Sequence, residues 1–179
     1  MNPDRRLILA GLLAFSAKLS HAHPTSGSPA SRITETLTVG GRVAHPLALA
    51  VGALRTFRVE QLADAAVKSR SGETVRWLTG YAGVRLTELL DKAELIAGDH
   101  NDLKKTIVVA TASDDYKAVF SWSELYNTAV GEGVYVLIAR EGRPLGDDEG
   151  RLALISLKDL HTGPRHVRWL KDVQVQKIA

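Results

Sequence analysis

The chain contains no cysteine, and its single methionine is Met1. Disulfides, thiolate nucleophiles and thiolate metal ligands are therefore excluded from the outset. No apolar run approaches the ~20 residues that a bilayer-spanning helix needs; the longest, Leu7–Ala17, is about half that length. Lysine and arginine, 23 together, nearly balance 20 acidic residues, so no basic surface of the kind that binds nucleic acid is indicated. A Gly-x-Ser-x-Gly nucleophile elbow, an internal repeat and a long low-complexity tract are all missing. These absences leave a chain of 179 residues with 45% hydrophobic content, enough to bury the core of one domain.

Asn2–Arg6 carries two arginines ahead of the apolar run, and Ser20, His21 and Ala22 close it with small residues where a signal peptidase reads. That arrangement predicts a secretory signal peptide over residues 1–22, cleaved after Ala22, and hence a periplasmic protein. An uncleaved anchor is the weaker alternative, because the run is short. Cleavage removes three of the 23 basic residues (Arg5, Arg6, Lys18) and one of the 20 acidic ones (Asp4), so the net charge falls from +3 to +1. Residues 23–35, rich in Pro, Ser and Gly at their start, read as a flexible leader, and residues 36–179 as the domain.

Within the domain, Ile107–Leu125 (IVVATASDDYKAVFSWSEL) is the organising stretch. It reads as a buried strand, a polar turn at Ser113, Asp114 and Asp115, a second strand, and a helix start at Ser121–Glu124. Thr36–Val43 alternates around Gly40 and Gly41 as a hairpin or bulge, and His45-Pro46 turns the chain. Leu47–Thr56 fits a strand edge followed by a helical turn. Phe57–Val67 fits either strand or helix, and periodicity alone favours helix. Lys68–Thr74 is a polar turn before a short strand containing Trp77. Leu86–Ile96 reads as a helix whose apolar face is Leu86, Leu89, Leu90, Ala93 and Leu95–Ala97, with Thr87 as a cap and Gly98 as the stop, and Asp99–Lys104 as a loop. Val134–Arg140 is a strongly apolar strand, Glu141–Pro144 a turn, Asp147–Glu149 a solvated acidic loop, Leu152–Leu157 a strand, and Val167–Ile178 a final strand pair. About eight strands, clustered rather than alternating with two or three short helices, predict an α+β, sheet-rich mixed-strand domain.

The order of these landmarks resembles the oxidoreductase molybdopterin-binding domain of the sulfite oxidase family, in its short bacterial periplasmic version. The resemblance runs from about Thr36 to Ile178. It rests on LTVGGRV followed by His45-Pro46-Leu47, on GVRLTELL from Gly83, on VVATASDDYKAVFSWSEL, on IAREGRPLGDDEGRLALIS, and on Val167-Arg168-Trp169-Leu170 ahead of Val173. It implies a sheet-rich fold that holds molybdenum through the pterin dithiolene and one protein thiolate. In this chain the segment that would supply the thiolate is Ala65–Thr74, which has none. Ser69 and Ser71 offer only hard oxygen donors there. The family's Asp-Gly-Tyr turn is Asp114-Asp115-Tyr116 here, and the arginine and proline of its Gly-Pro-x-Arg pattern are Ala153 and Arg151.

Arg165, Arg168 and Arg143 match positions that the resemblance sets near the pterin phosphate or its approach. A guanidinium supplies the converging N–H donors an anion needs, and His166 is a neutral donor beside it. Asp114 and Asp115 can accept hydrogen bonds from a pterin-like heterocycle, or simply cap their own turn; Tyr116 has a polar tip that reaches a ligand. His161 and His166 in a Gly-Pro loop, even with His45 and His100, fall short of a metal site, so no metal ligands are assigned. Two functions follow. One is a non-catalytic module that binds a small anionic or heterocyclic ligand or serves a membrane-bound signalling or redox protein. The other is a molybdopterin-dependent oxidoreductase that holds its cofactor without a cysteine.

Overall fold

The computed structural model describes residues 33–178. The expected signal peptide and the leader as far as residue 32 lie outside the described residues. Thirteen strands among the described residues build two main sheets and a small hairpin. Alternation sets the first sheet. In β1 (Thr36–Gly41) Leu37 and Val39 point inward, and in β7 (Thr106–Ala112) Val108, Ala110 and Ala112 do the same. The period of two leaves threonines and valines on the outer face. The sheet order is β2 (Leu47–Ala50), β1, β13 (Leu170–Lys177), β7, β8 (Lys117–Ser121). Strand β13 runs parallel to β1 and antiparallel to β7.

The second sheet is centred on β9 (Val134–Arg140), flanked by β6 (Tyr81–Arg85) and β11 (Ala153–Ser156). Six consecutive residues of β9 are buried because each face serves a different core. Val134, Val136 and Ile138 join the main core between the sheets, while Tyr135 and Leu137 join a second cluster with Val67, Leu78, Tyr81 and Ile155. That second cluster is covered by the hairpin of β4 (Ala65–Lys68) and β5 (Thr74–Leu78). The helix face of Leu86, Leu89, Leu90 and Ala93 seals the main core as α1 (Leu86–Ala93).

Several sequence expectations change here. Helix α1 stops at Ala93, ahead of Gly98, because Glu94 turns left-handed (φ 58) and its N–H returns to Leu90 O at 2.9 Å. Leu95 then bridges Val43. Thr87 does not cap the helix; the N-cap position is Arg85, without a side-chain cap. Phe57–Val67 holds no helix: it supplies β3 (Val59–Gln61), paired with β6, and the start of the hairpin. The 99–104 segment is a short helix, α2 (His100–Lys104), capped by Asp99 accepting from the Asn101 and Asp102 amides. The end of the leader belongs to the fold: Thr34 is buried and donates its amide to Gly150 O. Trp77 lies in a short strand as expected, β5, but its side chain is 62% exposed rather than part of the core.

The final strand pair is no pair. Residues 167–168 form β12 (Val167–Arg168) on β11 in the second sheet, whereas β13 lies in the first. Trp169, at φ 53, makes the crossing between them. The organising stretch forms as expected, with β7 and β8 joined at Asp114 and Asp115 and followed by α3 (Trp122–Asn127). Ser121 and Glu124 make a reciprocal capping box at its start.

Candidate functional site

The crossing at Trp169 opens a cleft of about 460 Å³. Val67, Val75 and Arg76 of the hairpin form one wall, Asp114 and Tyr116 of the β7–β8 turn another, and Gly163, His166, Arg168 and Trp169 the floor between them. The hairpin is fastened to the 158–166 loop by Thr162, whose hydroxyl accepts from Lys68 N (2.9 Å) and donates to Ala66 O (3.0 Å). A side chain at Gly163 would put its Cβ 2.6 Å from Lys68 O, so glycine permits that approach.

Four of the seven residues singled out in the sequence therefore share this cleft: Asp114, Tyr116, His166 and Arg168. Asp114 Oδ1 accepts the Tyr116 amide at 3.2 Å and caps its own turn. Tyr116 donates its hydroxyl to Pro164 O at 2.6 Å, which ties the turn to the floor. Arg168 is exposed and packs its guanidinium over the Trp169 ring at 4.5 Å. Among the described residues it has no carboxylate in salt-bridge range, so its charge faces the cleft unneutralised.

The other three lie elsewhere. Asp115 occupies the left-handed position of the turn (φ 69), exposed, and does not line the cleft. Arg165 donates to Asp159 Oδ1 at 2.5 Å and to Glu124 Oε1 at 3.1 Å and sits over Phe120 at 4.5 Å. Its fork is committed to holding the 3-10 turn at 163–165 against β8 and α3. Arg143 is exposed on β10 (Arg143–Pro144) and borders a separate hollow of about 370 Å³ with Arg140, Leu145 and Glu149.

Sequence reasoning missed the network beneath the floor. The acidic run 147–149 is not simply a solvated loop, because Glu149 is 3% exposed. Glu149 Oε1 accepts from Arg76 Nη2 at 2.5 Å and from the Tyr81 hydroxyl, and Arg76 Nη2 also reaches Tyr81 Oη at 2.8 Å. Burial raises the Glu149 carboxyl, but the approach of His166 and the hydrogen bonds from Tyr81 and Arg76 outweigh it and hold the group at about 2. Burial and the bond to Glu149 push the Tyr81 phenol up to about 12. Glu149 Oε2 and His166 Nε2 lie 3.7 Å apart, both buried and both without a hydrogen bond among the described residues. That separation is too long for a direct hydrogen bond. The only sequence trace of this network is the Glu149-Gly150 step at the end of the acidic run, which gives no sign of burial by itself.

Metal ligands are scarce around the cleft. Ser69 and Ser71 hydrogen-bond each other at the hairpin tip (2.8 Å) and do not line it. His161 is held by Arg70 O at 3.0 Å, and His45 lies beside Glu94 on the surface. Among the described residues no three His, Asp or Glu side chains gather to hold an ion. The donor set, with no thiolate anywhere in the chain, does not fit a protein-ligated molybdenum.

The fold is α+β, dominated by strands. Among solved structures it is similar to the sulfane dehydrogenase SoxCD from Paracoccus pantotrophus, with a TM-score of 0.60 and 16% identity. The match covers 80% of this chain and 38% of that one, so the chain spans well under half the length of that protein. At this identity the likeness is one of fold. No protein-family model matches the chain, and no curated protein matches it in sequence.

Proposed function

We propose that this chain is a periplasmic, non-catalytic module that keeps a molybdopterin-domain scaffold and binds a small anionic or heterocyclic ligand in the Trp169 cleft. It acts alone or alongside a membrane-bound signalling or redox protein. The observation that carries this reading is the composition of the cleft. The segment Ala65–Thr74, which would present the family's thiolate, offers the cleft the hydrocarbon of Val67, with Val75 just after it, while Arg168 supplies an unneutralised cation and Trp169 and Tyr116 supply planar surfaces. Such a cleft suits a flat or anionic ligand and gives a metal no soft donor.

The second reading, a molybdopterin-dependent oxidoreductase without a cysteine ligand, draws support from the fold likeness to a dehydrogenase. Metal analysis of the protein purified from periplasm separates the two. The binding module contains no molybdenum. Stoichiometric molybdenum together with a pterin absorbance would overturn the non-catalytic reading.

A further inference from the structure

His166 on the floor of the cleft and Glu149 beneath it form an unusual pair. Glu149 Oε2 and His166 Nε2 face each other at 3.7 Å, with side chains 4% and 6% exposed, and neither atom has a hydrogen-bond partner among the described residues. A buried carboxylate oxygen is an acceptor only, and an unprotonated ring nitrogen is also an acceptor. Two buried acceptors turned on each other are unfavourable. That opposition is relieved when the hydrogen of His166 is on Nε2, on the side of Glu149. A neutral ring then carries no hydrogen on Nδ1, the nitrogen on the side away from Glu149. His166 lines the cleft, and in that state its Nδ1 can offer an anion only a lone pair rather than a donor. Only the doubly protonated ring adds an N–H of His166 to the guanidinium donors of Arg168 and Arg76 that line the cleft.

We propose that the cleft binds its anion together with one proton, taken up at His166 Nδ1, with Glu149 as the positioning residue that fixes the Nε2–H tautomer. The inference rests on the reading of the cleft as an anion site and adds to it how that site is regulated. The balance is simple: anion and proton enter, no covalent bond to the ligand forms, and the proton returns to solvent when the anion leaves. The surrounding charges agree. Glu149 stays ionised because Arg76 and Tyr81 hold it, and Arg76 and Glu149 together are neutral. Arg168 on the strand that follows adds a positive charge, Asp114 across the cleft a negative one, and Tyr116 is neutral with its hydroxyl given to Pro164. Arg165 is turned away to Asp159 and Glu124. Protonated His166 thus tips a nearly balanced cleft to net positive, the condition under which an anion is retained.

Sulfate is a suitable probe, since it keeps its charge across the range in which histidine titrates. Its binding to the full domain is measured by calorimetry from about pH 5 to about pH 8, in two buffers of different ionisation enthalpy. The expected result is an affinity that falls at least roughly tenfold across that range, with up to one proton taken up per sulfate at the alkaline end. His166→Gln should bind sulfate with little pH dependence. Ring nitrogen NMR of the unaltered protein gives a readout that does not depend on a variant folding, and should report hydrogen on Nε2 at alkaline pH. Binding that depends on Arg168 but is flat in pH, with no proton uptake, would overturn the coupling and leave the cleft reading intact. An Nδ1–H tautomer at alkaline pH would also overturn it. Failure to bind sulfate at any pH would overturn the anion-site reading, and the coupling with it.

Discussion

A methyl group on Gly150 would lie 2.2 Å from Cδ1 of Trp169. The glycine is at φ +76, and the backbone around it is fastened to the tryptophan: Trp169 N donates to Glu149 O at 2.9 Å and Trp169 Nε1 to Asp147 O at 3.1 Å. The acidic loop and the sheet crossing are thus one unit. Gly150→Ala is expected to destabilise the domain by about 2–5 kcal/mol, combining left-handed strain with overpacking. A denaturant midpoint within experimental error of the parent would show that the contact is slack.

Arg165 and Arg168 lie three residues apart and are expected to respond to alanine in opposite ways. Arg165→Ala leaves Asp159 and Glu124 facing each other across a partly buried gap and should cost about 3 kcal/mol of stability. Arg168→Ala should leave stability within about 0.5 kcal/mol but weaken sulfate binding roughly tenfold or more, as loss of a charged donor does. Thermal melts and sulfate titrations on both variants check this. An Arg165→Ala protein of parental stability would contradict the structural role given to that side chain.

Asp115 holds a left-handed position, φ 69, that glycine adopts without steric cost. Asp115→Gly is expected to stabilise the domain by about 0.5–1 kcal/mol, with Asp114 still capping the turn. A fall in unfolding midpoint would mean that the Asp115 side chain makes a contribution larger than the strain.

Glu149, held at about 2 against an ordinary 4.5, contributes stability that is present in full above about 4.5 and is lost as pH falls toward 2. At roughly 1.4 kcal/mol per unit this is on the order of 3 kcal/mol at neutral pH. Glu60, Glu124 and Asp102 are lowered too, so the acid limb of the parent is a composite. The measurement that isolates Glu149 is the difference between parent and Glu149→Gln stability curves. That difference should be largest near neutral pH and shrink toward pH 2; a constant offset would contradict a buried ionised carboxylate.

Much of the fold is legible in the sequence where one physical signal dominates. The β7–turn–β8–α3 stretch is read correctly because alternation, an Asp pair and a capping box are all local. The apolar face of α1 is legible for the same reason, but its end is not. Glu94 turns left-handed so that Leu95 can reach Val43, a residue about fifty positions earlier in the chain. In Phe57–Val67 periodicity alone favours helix, yet strand pairing with β6 and β5 determines the outcome. Trp169 hides a change of sheet inside what reads as one strand pair, since nothing local marks a tryptophan at positive φ.

The candidate site divides along the same line. Asp114, Tyr116, His166 and Arg168 are polar residues at turns and sheet crossings, where a sequence pattern points to a surface. Glu149 is buried and Arg76 half-buried, each paired with the other about seventy positions away, and no local pattern encodes that. Arg165 illustrates the reverse: an arginine in a loop invites an anion, yet two carboxylates from other segments already occupy its fork.

Strand β13 lies between β1 and β7 and is synthesised after both. Until residues 170–177 have left the ribosome, β1 and the organising hairpin have no shared neighbour, and the main core stays open along its length. Folding of this domain is therefore a late event governed by contacts between distant parts of the chain, slow by the usual dependence on topology. A break ahead of Leu170 does not shorten the first sheet; it divides it.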